Sequence, residues 1–144
     1  MRLFSLVFLM LFFTIDDIHA QTTYPVMLSG LEQVPPVRTP ATGEFEVYVE
    51  SDTLYVRGQF SDLRGHYWSA FVHYGAVGEE GNRLFRLSPD ELNEEQNAGT
   101  FIFEDNKFHL RELQREALRE GNMYINISSN RNQEGEIRGQ IPNM

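Results

Sequence analysis

The residues best suited to chemistry lie in the aromatic segment YWSAFVHYG, residues 67–75, and near the end of the chain. His73 could act as a base or bind a transition metal, and the guanidinium group of Arg138 could hold a carboxylate or sulfate with two parallel hydrogen bonds. Tyr74 and Tyr124 carry amphipathic rings, which suit contacts with proteins or sugars. We take His73, Tyr74, Tyr124 and Arg138 as the candidate ligand-binding residues.

Neither a catalytic centre nor a metal site is predicted around His73. A serine beside an imidazole needs an orienting acid before it acts as a nucleophile, and the sequence identifies none for Ser69 or Ser128. A closed metal site needs several ligands, yet the chain has no cysteine, and His66 and His109 lie outside the segment. We therefore expect no catalytic residue, no metal ligand and no cofactor, with His73 as a hydrogen-bonded strand residue. Whether the three histidines converge is left open.

Strands must position these side chains. Residues 67–75 are predicted to form a central strand, in which successive side chains point to opposite faces. One predicted face carries Trp68, Ala70, Val72 and Tyr74, and the other carries Tyr67, Ser69, Phe71 and His73. Both faces are rich in apolar groups, so the sequence leaves open which of them is buried.

The rest of the chain predicts an all-β domain. Apolar and polar residues alternate at residues 43–60 as in a β-hairpin. Residues 88–92 are typical of a capped helical turn, and residues 110–120 form the one predicted helix, with Leu113 and Ala117 on its apolar face. We expect an antiparallel β-sandwich or open Greek-key barrel of about seven to eight strands with one short helix. Further strands are predicted at residues 24–30, where the strand would lie at an edge, and at residues 84–87, 100–103, 123–128 and 135–141.

Residues 1–20 have the pattern of an export signal. A positive charge near the start precedes an almost entirely apolar run, residues 3–15, and the segment ends in a small residue suited to signal-peptidase cleavage. The apolar run is shorter than the roughly 20 residues that a membrane-spanning helix needs. We expect cleavage, a mature domain at residues 21–144 and a secreted or periplasmic location. Asp16 and Asp17 leave an uncleaved anchor as the alternative.

The composition excludes several classes of partner. The chain carries 21 acidic and 12 basic residues, a net charge of −9, with no basic cluster. An acidic domain binds phosphate backbones and anionic lipids poorly, so we expect no nucleic-acid partner and no membrane association or span in the mature chain. Without cysteine no disulfide can form, so the hydrophobic core must hold the exported domain together.

Several stretches of sequence resemble the CHRD domain, the module repeated in the extracellular protein chordin and found singly in many exported bacterial proteins. Residues 28–37, LSGLEQVPPV, resemble the opening motif of that family, and residues 70–75, AFVHYG, resemble its central motif. Residues 121–127, GNMYINI, and residues 135–141, GEIRGQI, are similar to its closing motifs. The resemblance covers nearly all of the predicted mature chain and is that of a single-domain exported bacterial member.

The resemblance implies an exported β-sandwich or barrel module and a structural part for seven motif residues. If the charges of Glu136 and Arg138 are buried, we expect them to belong to a network that fixes the register of the terminal strands, because buried charges need partners. Glu32 is a candidate third member of that network. The seven residues are Glu32, Pro35, Pro36, Gly75, Asn126, Glu136 and Arg138.

The sequence departs from the family pattern at two positions that carry histidine there. Phe71 and Ser128 replace those histidines, so only His73 remains. The family spacing is similar to the His-x-His pair of copper-zinc superoxide dismutases. We expect a binding or structural module without catalytic activity of its own, whose partner is an unknown extracellular or periplasmic protein or glycan. The alternatives are a degenerate metal-binding domain of redox type and an enzyme that uses Glu136, Arg138 and His73 in one cleft.

Overall fold

The computed structural model describes residues 21–144. The predicted signal peptide, residues 1–20, and its cleavage lie outside the described residues. Within the described range the chain forms ten strands, the α-helix α1 (Glu112–Arg119) and the 3-10 turn η1 (Gly30–Glu32). The strands are β1 (Tyr24–Ser29), β2 (Thr42–Glu50), β3 (Thr53–Ser61), β4 (Tyr67–Tyr74), β5 (Arg83–Leu87), β6 (Glu91–Leu92), β7 (Gly99–Phe101), β8 (Lys107–His109), β9 (Met123–Ser129) and β10 (Ile137–Gln140).

All ten strands belong to one antiparallel sheet, which confirms the predicted all-β class. The strand order is β5-β4-β9-β10-β1-β2-β3-β7-β6, and β8 also pairs with β3. The sheet curls into a half-barrel, so that distant strands meet around one core. Tyr67 of β4 stacks on Phe60 of β3 with ring centroids 5.6 Å apart, and Phe85 of β5 stacks on Phe108 of β8 at 4.8 Å. The strands that the sequence did not predict are β6 and β8, of two and three residues.

The hairpin predicted at residues 43–60 is confirmed in β2 and β3. Val47 pairs with Val56, and both side chains are fully buried in the core. Ser51 and Asp52 connect the two strands with φ angles of 46° and 63°. A two-residue turn of this left-handed geometry matches the right-handed twist of the paired strands, so the hairpin closes without a longer loop.

The central strand β4 follows the predicted alternation only in part. Its pairing with β9 shifts register between Tyr67 and Ser69, so Trp68 is an extra residue at that point. Tyr67 therefore packs against the core together with Ala70 and Val72, and Trp68 is 55% exposed. The predicted faces are wrong at Tyr67 and Trp68, because the alternation assumed a regular strand.

Strand β1 is not the edge strand that the sequence predicted. It lies between β2 and β10, with Val26 opposite Phe45 and Ser29 opposite Arg138. The segment that follows β1 contains the cis peptide bond Val34–Pro35. The outer strands of the sheet are β5 at one end and β6 at the other within residues 21–144.

Residues 88–92 form no helical turn, contrary to the prediction. Glu91 and Leu92 pair with Thr100 and Gly99 instead, which makes the small hairpin of β6 and β7. The side chain of Asn93 closes that hairpin, because its Oδ1 atom accepts hydrogen bonds from the backbone amides of residues 97 and 98. The hydrogen bonds of Asn93 favour a hairpin here, although Ser88 and Pro89 are typical of the start of a helix.

The predicted helix exists but is shorter than residues 110–120. It spans the eight residues of α1, with Ala117 and Leu118 buried. Leu113 is 78% exposed, so its predicted place on the buried face is wrong. Leu110 is buried, but it precedes the helix. No helix among residues 21–144 has the length and apolar character needed to cross a membrane.

Candidate functional site

The motif residues of the last strands lie together on the outer face of β4, β9 and β10, opposite the core. This face is buried although it lies outside the sheet, because loops at residues 30–41, 75–82 and 130–135 fold over it. We call its side chains the covered layer. Its members are Ser69, Phe71, His73, Tyr124, Asn126, Ser128, Glu136, Arg138 and Gln140.

Arg138 holds the loop at residues 75–81 against the sheet. Its side chain is 2% exposed, and its Nη1 and Nη2 atoms donate hydrogen bonds of 2.7 and 2.9 Å to the backbone carbonyls of Glu79 and Ala76. The guanidinium carbon lies 3.5 Å from the centroid of the Tyr124 ring, a cation–π contact. Gln140 adds hydrogen bonds from Nε2 to the carbonyls of Gly75 and Gly121. The donors of Arg138 are therefore used inside the protein.

His73 lies beneath the same loop. Its ring stacks on Tyr124 with centroids 4.8 Å apart, and its Nδ1 atom lies 3.0 Å from the carbonyl oxygen of Gly81. A carbonyl only accepts, so Nδ1 carries the proton. Burial lowers the pKa of His73, and the guanidinium groups of Arg83 and Arg138 lower it further. The Nε2 atom is buried without a hydrogen-bond partner among the described residues.

Glu136 is a second buried charge in the covered layer, and it does not pair with Arg138. Its Oε1 atom accepts hydrogen bonds from the hydroxyl of Thr39 and the amide of Arg64, and Oε2 accepts one from Asn132. Burial alone raises the pKa of this carboxyl, but the hydrogen bonds outweigh burial and hold the pKa below its ordinary value. Three separate segments of the chain are thereby tied to one carboxylate.

Asn126 joins the opening and closing motifs. Its Oδ1 atom accepts a hydrogen bond of 2.7 Å from Gln33, and its Nδ2 atom donates one of 2.9 Å to the carbonyl of Glu134. Gly135 lies against this amide with φ of 150°, and a Cβ atom there would lie 2.3 Å from Oδ1 of Asn126. The glycine of the closing motif is thus required by the close approach of the loop.

Other predicted motif residues lie at the surface of the same loops. Glu32, Pro35 and Pro36 are exposed, and Glu32 forms no ion pair with Arg138. The predicted network of Glu32, Glu136 and Arg138 is therefore not formed as a set of paired charges. Gly75 is buried at φ of 154°, with the Tyr124 ring 2.9 Å from the position of a Cβ atom.

The structure brings together three of the four predicted ligand-binding residues, His73, Tyr124 and Arg138. Tyr74 is 49% exposed and points away from them, toward helix α1. Ligand binding by these four residues stays a prediction. Sequence reasoning missed Gln33, Thr39 and Gln140 as partners of the buried groups, although Gln33 and Gln140 lie within the motif stretches.

No three histidine, cysteine, aspartate or glutamate side chains in the described part of the chain lie close enough to hold a metal ion. The Nδ1 atom of His66 lies 2.9 Å from the carbonyl oxygen of Glu95, and His109 lies on β8 opposite Thr53. His73 is under the loop described above. The three histidines lie on separate elements and form no common cluster.

The outward side chains of β2 and β3 form a second outer surface, which we call the open face. Tyr48 and Tyr55 stack with ring centroids 4.5 Å apart, and the ring of Phe103 meets Tyr48 edge-on. Arg57 forms an ion pair of 2.6 Å with Glu46, and their side chains are 52% and 42% exposed. A groove of about 460 Å³ runs beside this pair, with Met27, Glu44 and Gln59 in its lining. Phe103, in the loop between β7 and β8, packs over Tyr55 and Arg57 as well, and the Glu46 and Arg57 side chains remain about half exposed.

Comparison with known proteins identifies the family. The family model of the CHRD domain matches residues 24–141, from the start of β1 to the residue after β10. No curated protein and no solved structure matches the sequence significantly. The matched range includes all the residues of the covered layer and the loops that bury them. The chain belongs to the CHRD domain family.

Proposed function

We propose that this CHRD domain is an exported module that works outside the cytoplasm by binding a protein or a glycan, and that it has no catalytic activity of its own. The acidic composition and the lack of cysteine are compatible with this role. The predicted export signal at residues 1–20 supports the location.

The observation that carries the proposal is that the side chains of the covered layer contact other parts of the same chain. The polar groups of Arg138, Glu136 and Asn126 bond to loops of the same chain, and the rings of His73 and Tyr124 are buried beneath one of those loops. A catalytic group must reach its substrate, which these side chains do only if the loops open. We therefore assign the covered layer to stability and partner binding to the exposed parts of the sheet.

The alternative of a degenerate redox-type metal domain depends on His73 and on nitrogen ligands near it. Purified residues 21–144 should be measured for metal content, and their thermal unfolding should be followed with Cu²⁺ or Zn²⁺ added, beside His73→Ala. We expect less than one metal ion per chain and no metal-induced rise in Tm. A stoichiometric metal and a rise in Tm that His73→Ala abolishes would overturn the proposal.

Export is tested with the full-length chain. Expression with residues 1–144, beside a version that begins at Gln21, should place only the longer chain outside the cytoplasm. Mass spectrometry of the exported protein is expected to find Gln21 at its N-terminus. Retention of residues 1–20 on a membrane-bound product would support the uncleaved anchor instead.

A further inference from the structure

Strand β5 presents two arginines on the same outer face, although their spacing in sequence predicts the opposite. Residues three apart in a regular strand point to opposite faces. The pairing of β4 with β5 shifts register here, since Phe85 lies opposite Val72 but Arg83 lies opposite His73. Leu84 is the extra residue, and such a bulge re-aims the side chains beside it. Both Arg83 and Arg86 therefore reach the outer face.

The two guanidinium groups converge on one aromatic ring. The Cζ atoms of Arg83 and Arg86 lie 4.7 and 5.9 Å from the centroid of the Phe71 ring. Neither arginine has a carboxylate within ion-pair distance in the described part of the chain, where the ion pairs are Arg57 with Glu46 and Arg115 with Asp52. In a chain of net charge −9, two exposed arginines that are not ion-paired form a local concentration of positive charge.

Within the described residues, one edge of β5 has no strand hydrogen-bonded to it, although the ring of Phe85 on this strand stacks on Phe108 of β8. Strand β5 is the last of the sheet order at its end, and among residues 21–144 it pairs with β4 alone. The backbone groups of such an edge can pair with an extended chain. Arginines at an edge also discourage self-association of the sheet, which is the competing explanation for them.

A partly apolar groove lies at one end of β5, where Leu84 meets residues of β4, β9 and helix α1. It has a volume of about 380 Å³ and is lined by Tyr74, Leu84, Leu113 and Met123, among others. Leu113 is 78% exposed and Tyr74 is 49% exposed, so the groove opens to solvent. Glu116 and Glu120 also line it. Their carboxylates repel acidic side chains, so the groove favours apolar side chains over acidic ones.

We propose that the free edge of β5 binds an extended peptide segment of a partner protein in which acidic and apolar side chains alternate. The peptide adds a strand beside β5, its acidic side chains contact Arg83 and Arg86, and its apolar side chains enter the groove beside Leu84 and Leu113. This inference rests on the proposed function, because it names the kind of partner that the binding module takes.

The alternation is what favours a peptide over an acidic glycan. Successive side chains of an added strand point to opposite faces, and β5 offers Arg83 and Arg86 on one face and Leu84, at the mouth of the groove, on the other. A glycan would use the arginines but would leave the backbone edge and the groove unoccupied.

The test is fluorescence anisotropy with residues 21–144 and a fluorescein-labelled peptide of ten residues in which glutamate and valine alternate. A peptide of the same composition with its glutamates and valines in two blocks is the peptide control. We expect the alternating peptide to bind more tightly than the block peptide, with a Kd that rises with salt. The double variant Arg83→Ala, Arg86→Ala is expected to weaken binding about tenfold.

Two further protein variants distinguish binding at the β5 edge from effects of overall charge and of folding. Arg119→Ala, Arg131→Ala removes the same charge from exposed positions elsewhere and is expected to leave the Kd unchanged. Leu113→Asp, at an exposed position, is expected to weaken the alternating peptide and leave thermal unfolding unchanged. Light scattering then shows whether the Arg83 and Arg86 variant stays monomeric.

Three results would overturn the inference. The first is equal binding of the alternating and block peptides, and the second is an Arg83 and Arg86 variant that self-associates but binds the peptide normally. The third is tighter binding of a heparin-derived sulfated hexasaccharide that displaces the peptide. Failure of the proposed function would be recognised separately, by the stoichiometric metal and the His73-dependent rise in Tm described above.

Discussion

The covered layer and the open face have the same alternating strand pattern, yet their polar side chains differ in burial and in hydrogen-bond partners. Both place polar side chains on the outer face of the sheet, with apolar residues turned to the core. On the open face Glu46 and Arg57 are about half exposed, and water satisfies what their ion pair does not. In the covered layer Glu136 and Arg138 are almost fully buried, and each has fixed partners in the chain.

The difference shows that the polar motif residues contribute to folding stability mainly when they are buried. A buried polar group without a partner costs far more free energy than an exposed one, so every hydrogen bond of the covered layer matters. An exposed ion pair contributes little, because water screens it and its side chains lose conformational freedom. Substitutions on the two surfaces should therefore differ in size even when the residue type is the same.

The largest effect is expected for Arg138→Ala. The substitution leaves the carbonyls of Glu79 and Ala76 without their donor and removes the side chain that packs on Tyr124. We expect the free energy of unfolding to fall by about 3 kcal/mol, as measured by urea denaturation. Arg57→Ala is the matched substitution on the open face. A loss of similar size in both variants would contradict the comparison.

A smaller loss is expected for Glu136→Gln. The amide keeps the shape of the side chain but loses acceptor capacity toward Thr39, Arg64 and Asn132. We expect a loss of about 2 kcal/mol in urea denaturation near neutral pH. The pKa of Glu136 is lowered by folding, so this contribution is present above the ordinary carboxyl pKa and disappears as the pH falls through the folded value. A variant that loses stability equally at all pH values would argue against a charged Glu136.

His73 should produce a pH dependence that the open face lacks. Folding lowers the pKa of His73, so the unfolded chain takes up a proton first as the pH falls, and the free energy of unfolding decreases below about pH 6.5. Urea denaturation of the protein and of His73→Phe between pH 5 and 8 measures this. We expect a shallower pH dependence in the variant. An unchanged slope would show that His73 is not the source of the pH dependence.

The smallest effect is expected where the open face loses its ion pair. Glu46→Gln should change the free energy of unfolding by no more than about 0.5 kcal/mol, and Arg57→Ala by no more than about 1 kcal/mol, because Arg57 also lies over the Phe103 ring. The double variant should show little coupling between the two positions, and that coupling should decrease further with added salt. A coupling above about 1 kcal/mol would show that the open face is less accessible to water than described.

The all-β class and the hairpin could be predicted because alternation reports directly on a half-buried strand. The pattern could not place β1 inside the sheet, since its neighbour β10 lies more than a hundred residues away in sequence. Nor could it predict the bulges at Trp68 and Leu84, which depend on the partner strands. Short strands such as β8 carry too few residues to show alternation at all.

The candidate site was predictable in its members but not in its contacts. His73, Tyr124 and Arg138 were selected for their residue types, and they do lie together. Their partners are backbone carbonyls of the loop at residues 75–81, and nothing in the sequence of a loop tells which side chain its carbonyls will meet. The burial of this outer face likewise depends on how three loops fold over it, which residue patterns do not encode.

The position of β10 determines when the domain can complete its sheet. This strand is inserted between β1 and β9, so the first strand has no neighbour on that side until the last strand arrives. Its Arg138 and Gln140 side chains also provide the donors that bind the loop at residues 75–81. A chain that emerges from the ribosome with its N-terminus first therefore cannot complete this sheet until β10 has emerged. Folding must wait for β10, and an incompletely emerged chain remains open along its centre.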